Sequence, residues 1–222
     1  MNSDLLTGTL AEEIAANPQL RIWVPTTRAT RVAALAAREL GSSSLALVNG
    51  FTDFDAGQRE QVTDVFTLLR RGLLGVAMAP IQLDAAGRTN LSGIGTPGRP
   101  KVAMIGPRGL TENNDTPCPL WYMLAAHSHR ALVRRVDIVC GAAPSGLGQR
   151  TLLTPAGCFD LVDGGWVARW VTSGGRELID GAPEFAIKVA PDTPVRDTVE
   201  PATLAALIQV DPAGTRRPEF GG

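Results

Sequence analysis

The sequence predicts an α/β fold, in which a mixed, largely parallel sheet flanked by helices is followed by a β-hairpin-rich C-terminal part, all within one domain over residues 1–222. Three observations predict it. Short apolar runs and helically spaced stretches alternate from Trp23 to Met78, which implies parallel strands joined by right-handed crossovers. Beyond Gly141 the texture changes to short runs separated by tight turns, with Asp163-Gly164 a hairpin dipeptide. The 222 residues are 44% hydrophobic and 19% charged, enough for a sizeable core, with no repeat, low-complexity segment or obvious linker.

Each element follows from local pattern. Thr9-Leu-Ala-Glu12 has the form of a capping box, with Leu10, Ile14 and Ala15 on one face of a short helix. Ile22-Trp23-Val24, closed by Pro25, reads as the first strand. Thr26 to Leu40 reads as a helix carrying Val32, Leu35, Ala36 and Leu40, with Gly41 as its C′ residue. Leu45–Val48 is a second strand, ending in Asn49-Gly50. Gln58 to Arg71 is a helix with Val62, Val65, Phe66 and Leu69 on one face, stopped by Gly72. Leu73–Met78 is a third strand. Pro80 to Pro100 holds too many breakers for a helix, and Val102–Ile105 reads as a fourth, buried strand. Pro119 to Ala126 reads as a helix and Ala131–Cys140 as a strand. Thr151–Thr154, Gly157–Val162, Trp166–Thr172 and Glu184–Val189 read as short strands. Thr193 to Leu207 reads as a closing helical region broken by Pro201, with the tail from Pro212 loose.

Composition excludes several function classes. Lys plus Arg total 21 and Asp plus Glu 22, a net charge of −1, which argues against a nucleic-acid platform or a binder of anionic membranes. Three widely spaced cysteines, Cys118, Cys140 and Cys158, form no CxxC pair and fit a reducing cytoplasm. The N-terminal stretch lacks the regions of a signal peptide, and no run reaches the length of a transmembrane helix.

The stretch from Val76 to Gly109 concentrates the candidate chemistry, because ligands in α/β sheets sit at loops leaving buried strand ends. Gly93-Ile-Gly95-Thr-Pro-Gly98 matches a dinucleotide fingerprint literally, but a strand rather than a helix follows it. His127 and His129 read as a surface pair, since no Cys or carboxylate stands at a ligand spacing. Gly106-Pro-Arg-Gly109 is more informative. Glycines at a strand end let backbone N–H groups approach a ligand and stabilise an oxyanion, and Arg108 adds a cation with bidentate geometry. The alternative is a solvated Arg in a tight turn. Asn113 and Asn114 follow, either to orient a carbonyl or to satisfy turn backbone.

Gln82-Leu-Asp84-Ala-Ala-Gly87-Arg-Thr-Asn90-Leu-Ser92, the run Lys101–Ile105 and Gly106-Pro-Arg-Gly109 together resemble the β subunit of the class I CoA-transferase family. Val136-Asp137-Ile-Val139, Val171-Thr172-Ser-Gly174 (the start of a late hairpin), Thr193–Thr203 and Asp211-Pro212 resemble further motifs of that subunit, in order. The resemblance implies a CoA-transferase-like mixed α/β fold and a coenzyme A thioester as substrate, with no tightly bound cofactor and no metal. It also implies an α subunit of the same family as partner, in a heterodimer or heterotetramer.

One departure changes the implied chemistry. The nucleophilic Glu of the transferases maps onto Val48, and valine cannot be a nucleophile. Asp53 and Asp55 lie a few residues on. The missing Glu and the Arg in the glycine loop resemble the steroid ring-opening CoA hydrolase branch of actinobacteria, in which the α subunit supplies the catalytic Glu. Cleavage of this kind builds negative charge on a carbonyl oxygen and then on an enolate, so Arg108 reads as an electrostatic stabiliser or carboxylate clamp, with Gly106 and Gly109 shaping its loop. Asn49 and Gly50, next to the vacant Glu position, are expected to line the cleft as that position does in relatives, and Asn90, Asn113 and Asn114 are candidates for positioning the substrate. The alternatives are CoA transfer through Asp53 or Asp55, and a non-catalytic subunit that binds a CoA ester or stabilises its partner.

Overall fold

A computed structural model describes residues 3–49, 53–54, 65–106, 115–142 and 148–220. In chain order the elements are α1 (Ser3–Ala15), β1 (Ile22–Pro25), α2 (Arg28–Glu39), β2 (Ala46–Asn49), β3 (Asp53–Phe54), α3 (Val65–Arg70), β4 (Leu74–Met78), β5 (Gln82–Leu83), β6 (Thr89–Asn90), β7 (Gly93–Thr96), β8 (Arg99–Ala103), β9 (Leu120–Met123), β10 (Arg150–Thr154), β11 (Gly157–Val162), β12 (Gly165–Val171), α4 (Gly175–Gly181), β13 (Ile187–Lys188) and α5 (Pro201–Val210), followed by a 3₁₀ turn at Arg217–Phe220. They form two compact units, Met1–Met78 with Asp197–Gly222, and Ala79–Arg196.

In the first unit, β1 pairs in parallel with both β2 and β4, which places it centrally, and β3 pairs antiparallel to β2. The expected strand–helix alternation is thus a parallel sheet. Trp23, on β1, is fully buried and donates its indole N–H to Thr30 O (3.1 Å). Thr27 caps α2, with Thr27 and Thr30 bonding reciprocally across the first turn, and Gly41, at φ 123°, ends it in a conformation that favours glycine. Helix α1 is buried on nearly all sides, so Thr9 sits mid-helix rather than at a cap. An apolar, buried environment holds the helix from Ser3 without the predicted box. The predicted helix Gln58–Arg71 is seen as α3. Residues 55–64 lie outside the described residues.

In the second unit, β9 and β10 are parallel, β10–β11–β12 is an antiparallel meander, and β13 runs parallel to β12. Asp163 (φ 50°) and Gly164 (φ 75°) make the predicted tight turn between β11 and β12. Tyr122 and Trp166 meet edge to face at 6.1 Å in the core. Together the pairings give a mixed, mostly parallel sheet with flanking helices.

Several expectations are corrected. Pro119–Ala126 is the strand β9 rather than a helix, because Leu120–Met123 is buried on both faces and its backbone pairs with β10. Val102–Ile105 is not a buried strand. Val102 lies in the solvent-exposed ribbon β7–β8, which ends at Ala103, and Met104 and Ile105 follow it into solvent. The GxGxxG match is strand β7 and the turn that follows it. Ala131–Cys140 is irregular, and its backbone bonds sideways to the ends of β5 and β6, through Leu83 N to Ala131 O (2.7 Å) and Cys140 N to Thr89 O (2.8 Å). The late run Glu184–Val189 pairs only over β13. The segment after Val171-Thr172-Ser-Gly174 turns into α4 rather than a hairpin. Pro201 opens α5 instead of breaking a helix, as the N1 position allows.

The C-terminal tail is held, not loose. Arg216 is buried and bridges Asp4 on α1 (2.8 Å) and Asp211 at the end of α5 (2.7 Å). Burial alone would raise the Asp211 carboxyl, but hydrogen bonds from Thr215 and Arg216 hold it below its ordinary value. Glu219 accepts the N–H groups of Arg28 (2.7 Å) and Ala29 (3.2 Å), completing the cap of α2.

Candidate functional site

The long motif from Gln82 to Ser92 folds as the ribbon β5–β6, with Gln82 opposite Asn90. Its polar residues are turned inward. Asp84 accepts from Ala86 N (3.1 Å), Arg88 N (3.1 Å) and Arg88 Nε (2.7 Å), while its carbonyl accepts the indole N–H of Trp166 (3.0 Å). Gly87, at φ 73°, closes this turn onto Asp84 O. Asn90 is fully buried and donates to Gln82 Oε1 and Gly93 O, both at 2.7 Å. Its Oδ1 accepts from Ser92 N (3.0 Å) and Gly93 N (3.3 Å). Gln82 Oε1 also accepts Asp137 N (2.9 Å), so one side chain joins the ribbon to the irregular segment.

These bonds deliver Ser92 to the start of the glycine loop. Ser92 O accepts Met104 N (2.8 Å), which extends the ladder toward Gly106. Gly106 has φ 86°, a conformation that L side chains rarely adopt, and a Cβ built there would lie 3.6 Å from Ser92 Oγ. Ser92 Oγ in turn lies 3.0 Å from Cys140 Sγ, which also accepts Leu91 N (3.2 Å). The structure therefore gathers Asn90, Ser92, Gly106 and Cys140. Sequence reasoning missed Ser92 and Cys140 as neighbours of the loop. The serine was within the motif, whereas nothing local marks Cys140, since its partners are nearly fifty residues away. Asn90 spends its polar atoms on the scaffold.

The other candidates distribute differently. Arg108, Gly109, Asn113 and Asn114, with Gly50 and Asp55, lie outside the described residues. Val48 is half-buried in β2 and pairs in register with Phe54, and Asn49 pairs with Asp53. Asp53 is thus one register position away from the partner of Val48. The residues that follow the loop are fixed by Arg150, buried in β10, which donates to Thr116 O (3.1 Å), Cys118 O (2.8 Å) and Gln149 O (3.0 Å). Burial lowers the pKa of Arg150 and pushes the neighbouring Tyr122 hydroxyl up to about 12, an effect the Arg150 charge moderates.

The histidine pair is split. His129 is exposed, but His127 is buried beside Phe159, with Nδ1 2.8 Å from Thr154 Oγ1, and burial lowers its pKa to about 4. The described residues contain no cluster of three His, Cys, Asp or Glu able to hold a metal. None of the described helices is long and apolar enough to cross a membrane.

No family model matches this sequence, and no curated protein matches it significantly. Solved structures do. IpdAB from Rhodococcus jostii RHA1 superposes with a TM-score of 0.84 at 20% identity, over 100% of this chain and 99% of that one. The decarboxylase AibA/AibB matches with a TM-score of 0.80 at 20% identity, over 97% and 98% of the two chains. Glutaconate coenzyme A-transferase from Acidaminococcus fermentans matches with a TM-score of 0.79 at 13% identity, over 97% and 96%. From end to end, the chain has a CoA-transferase-like α/β fold.

Proposed function

We propose that this chain is the β-type subunit of a heteromeric, cytoplasmic enzyme of the class I CoA-transferase family, acting on a cyclic acyl-CoA. In this reading a carboxylate of the α-type partner activates water. The hydroxyl adds to a ring carbonyl, the adjacent C–C bond breaks, and the released enolate takes up a proton, leaving a carboxylate on the opened ring. Arg108 stabilises the developing negative charge, in a loop opened by Gly106 and Gly109. Asn113 and Asn114 position the substrate, and Asn90 holds the ribbon under the loop. No metal or resident cofactor is required.

The observation that carries this reading is Val48. It lies on β2 of a CoA-transferase-like fold, at the position where the sequence resemblance expects the nucleophile, and its side chain offers none. The fold likeness to proteins named as pairs, AibA/AibB and IpdAB, supports a partner subunit. The likeness to glutaconate coenzyme A-transferase supports a CoA thioester substrate.

Trapping tests the chemistry. The complex is incubated with acyl-CoA, reduced with borohydride and mapped by mass spectrometry. The ring-opening reading expects no modified carboxylate in this chain. A trapped thioester at Asp53 or Asp55 would instead establish CoA transfer by a displaced carboxylate. Equal turnover with and without this chain would leave it a non-catalytic subunit.

A further inference from the structure

Ten large apolar side chains are exposed among the described residues, and five of them share one place: Ile94, Val102, Met104, Ile105 and Val139. Ile94 and Val102 are register partners in the ribbon β7–β8, so their side chains share one face. Met104, two residues beyond Val102, continues that face through its bond to Ser92 O. Ile105 is 77% exposed and immediately precedes Gly106. Val139 adjoins Cys140, whose thiol meets Ser92, and Asp137 Oδ2 ties the same segment to Gly95 N (2.7 Å). A two-stranded ribbon in water is marginal by itself, and a cluster of this kind on a soluble protein marks a contact surface.

We infer that this face is the docking surface for the partner subunit, and that the partner presents an acidic rim to it. The inference rests on the heteromeric reading above and gives that reading a location. Charge decides the occupant. Arg99 and Lys101 are exposed on β8, and Arg134 and Arg135 are exposed on the segment that carries Val139. A second copy of this chain on a twofold axis would set these cations against themselves, at a cost. A partner with carboxylates around an apolar centre meets both the cations and the apolar face. Docking here also brings the partner up to Ile105 and Gly106, at the start of the loop to which the proposed function assigns charge stabilisation.

The chain contains two lysines, Lys101 in the ribbon and Lys188 on β13, and both are exposed. They provide a probe and an internal reference. The tagged chain is purified from its native host with whatever binds stoichiometrically, and is also prepared alone. Both samples are acetylated with N-hydroxysuccinimidyl acetate and read by mass spectrometry. Labelling of Lys101 is expected to fall several-fold in the complex while Lys188 is unchanged. Carbodiimide is expected to join Lys101 to a partner carboxylate. Val102→Glu is expected to lose the partner, and Ile208→Glu, on the exposed side of α5, to keep it. Equal labelling of Lys101 in both samples, with a partner bound, overturns the location while leaving the heteromeric reading intact. Absence of any partner removes that reading and this one with it. A homodimer of the isolated chain with protected Lys101 assigns the face to a second copy and overturns the acidic partner.

Discussion

His127 gives the residue scale its sharpest pH signature. Its pKa is about 4 in the fold and about 6.5 in an unfolded chain, so the unfolded state binds the extra proton between those values. Stability is complete above about pH 6.5 and declines as pH falls toward 4, by at most about 1.4 kcal/mol per pH unit. Urea unfolding across this range is expected to show that slope, and His127→Leu is expected to flatten it. A second residue prediction belongs to the proposed site. Arg108→Ala is expected to lower kcat by about 10²-fold while the complex still assembles, since removing one donor to a developing oxyanion costs about that much. Steady-state kinetics with a mass check on the complex decides it. His127 also shows why the sequence misled. A histidine pair two residues apart gives no sign that one ring faces Phe159 and Thr154, contacts made with residues about thirty positions away.

At the scale of elements, what was legible depended on how local the cause was. The Gly41 and Gly72 stops and the Asp163-Gly164 turn are decided by neighbours in sequence, and all could be read from it. Strand β9 was misread because Leu-Trp-Tyr-Met suits either state, and only its pairing with β10 settles it. The tail was misread because its anchor is tertiary, with Arg216 meeting Asp4 from the other end of the chain. Arg216→Met is expected to destabilise by about 3–5 kcal/mol, because it strands the Asp211 carboxylate in a buried setting. Denaturant melts of the two proteins would show it. The β5–β6 ribbon makes a comparable claim. Asn90→Ala removes five bonds, the long one from Cys140 Sγ included, and leaves Gln82 Oε1 with one donor fewer, and a loss of about 2–3 kcal/mol is expected in the same assay. If Asn90 instead positions substrate and nothing else, KM changes and stability does not.

For the whole molecule, fold class and the strand–helix alternation were readable because hydrophobic periodicity reports burial directly. The site was readable only in part. Motif spacing pointed to the Gln82–Ser92 ribbon and the loop opened by Gly106. The contribution of Cys140 depends on a contact across 48 residues, which no local pattern encodes. Val48 was read from its position in a motif, and β2 places it on the parallel sheet as expected. If the carboxylate belongs to the partner, as proposed above, this chain catalyses nothing alone. The direct measurement is turnover of a cyclic acyl-CoA by this chain, by the partner that co-purifies with it from the native host, and by the two recombined at equal concentration. Turnover confined to the recombined pair, with a stoichiometric partner of similar size, is the expected result. Full activity from this chain as a homogeneous homo-oligomer would contradict it.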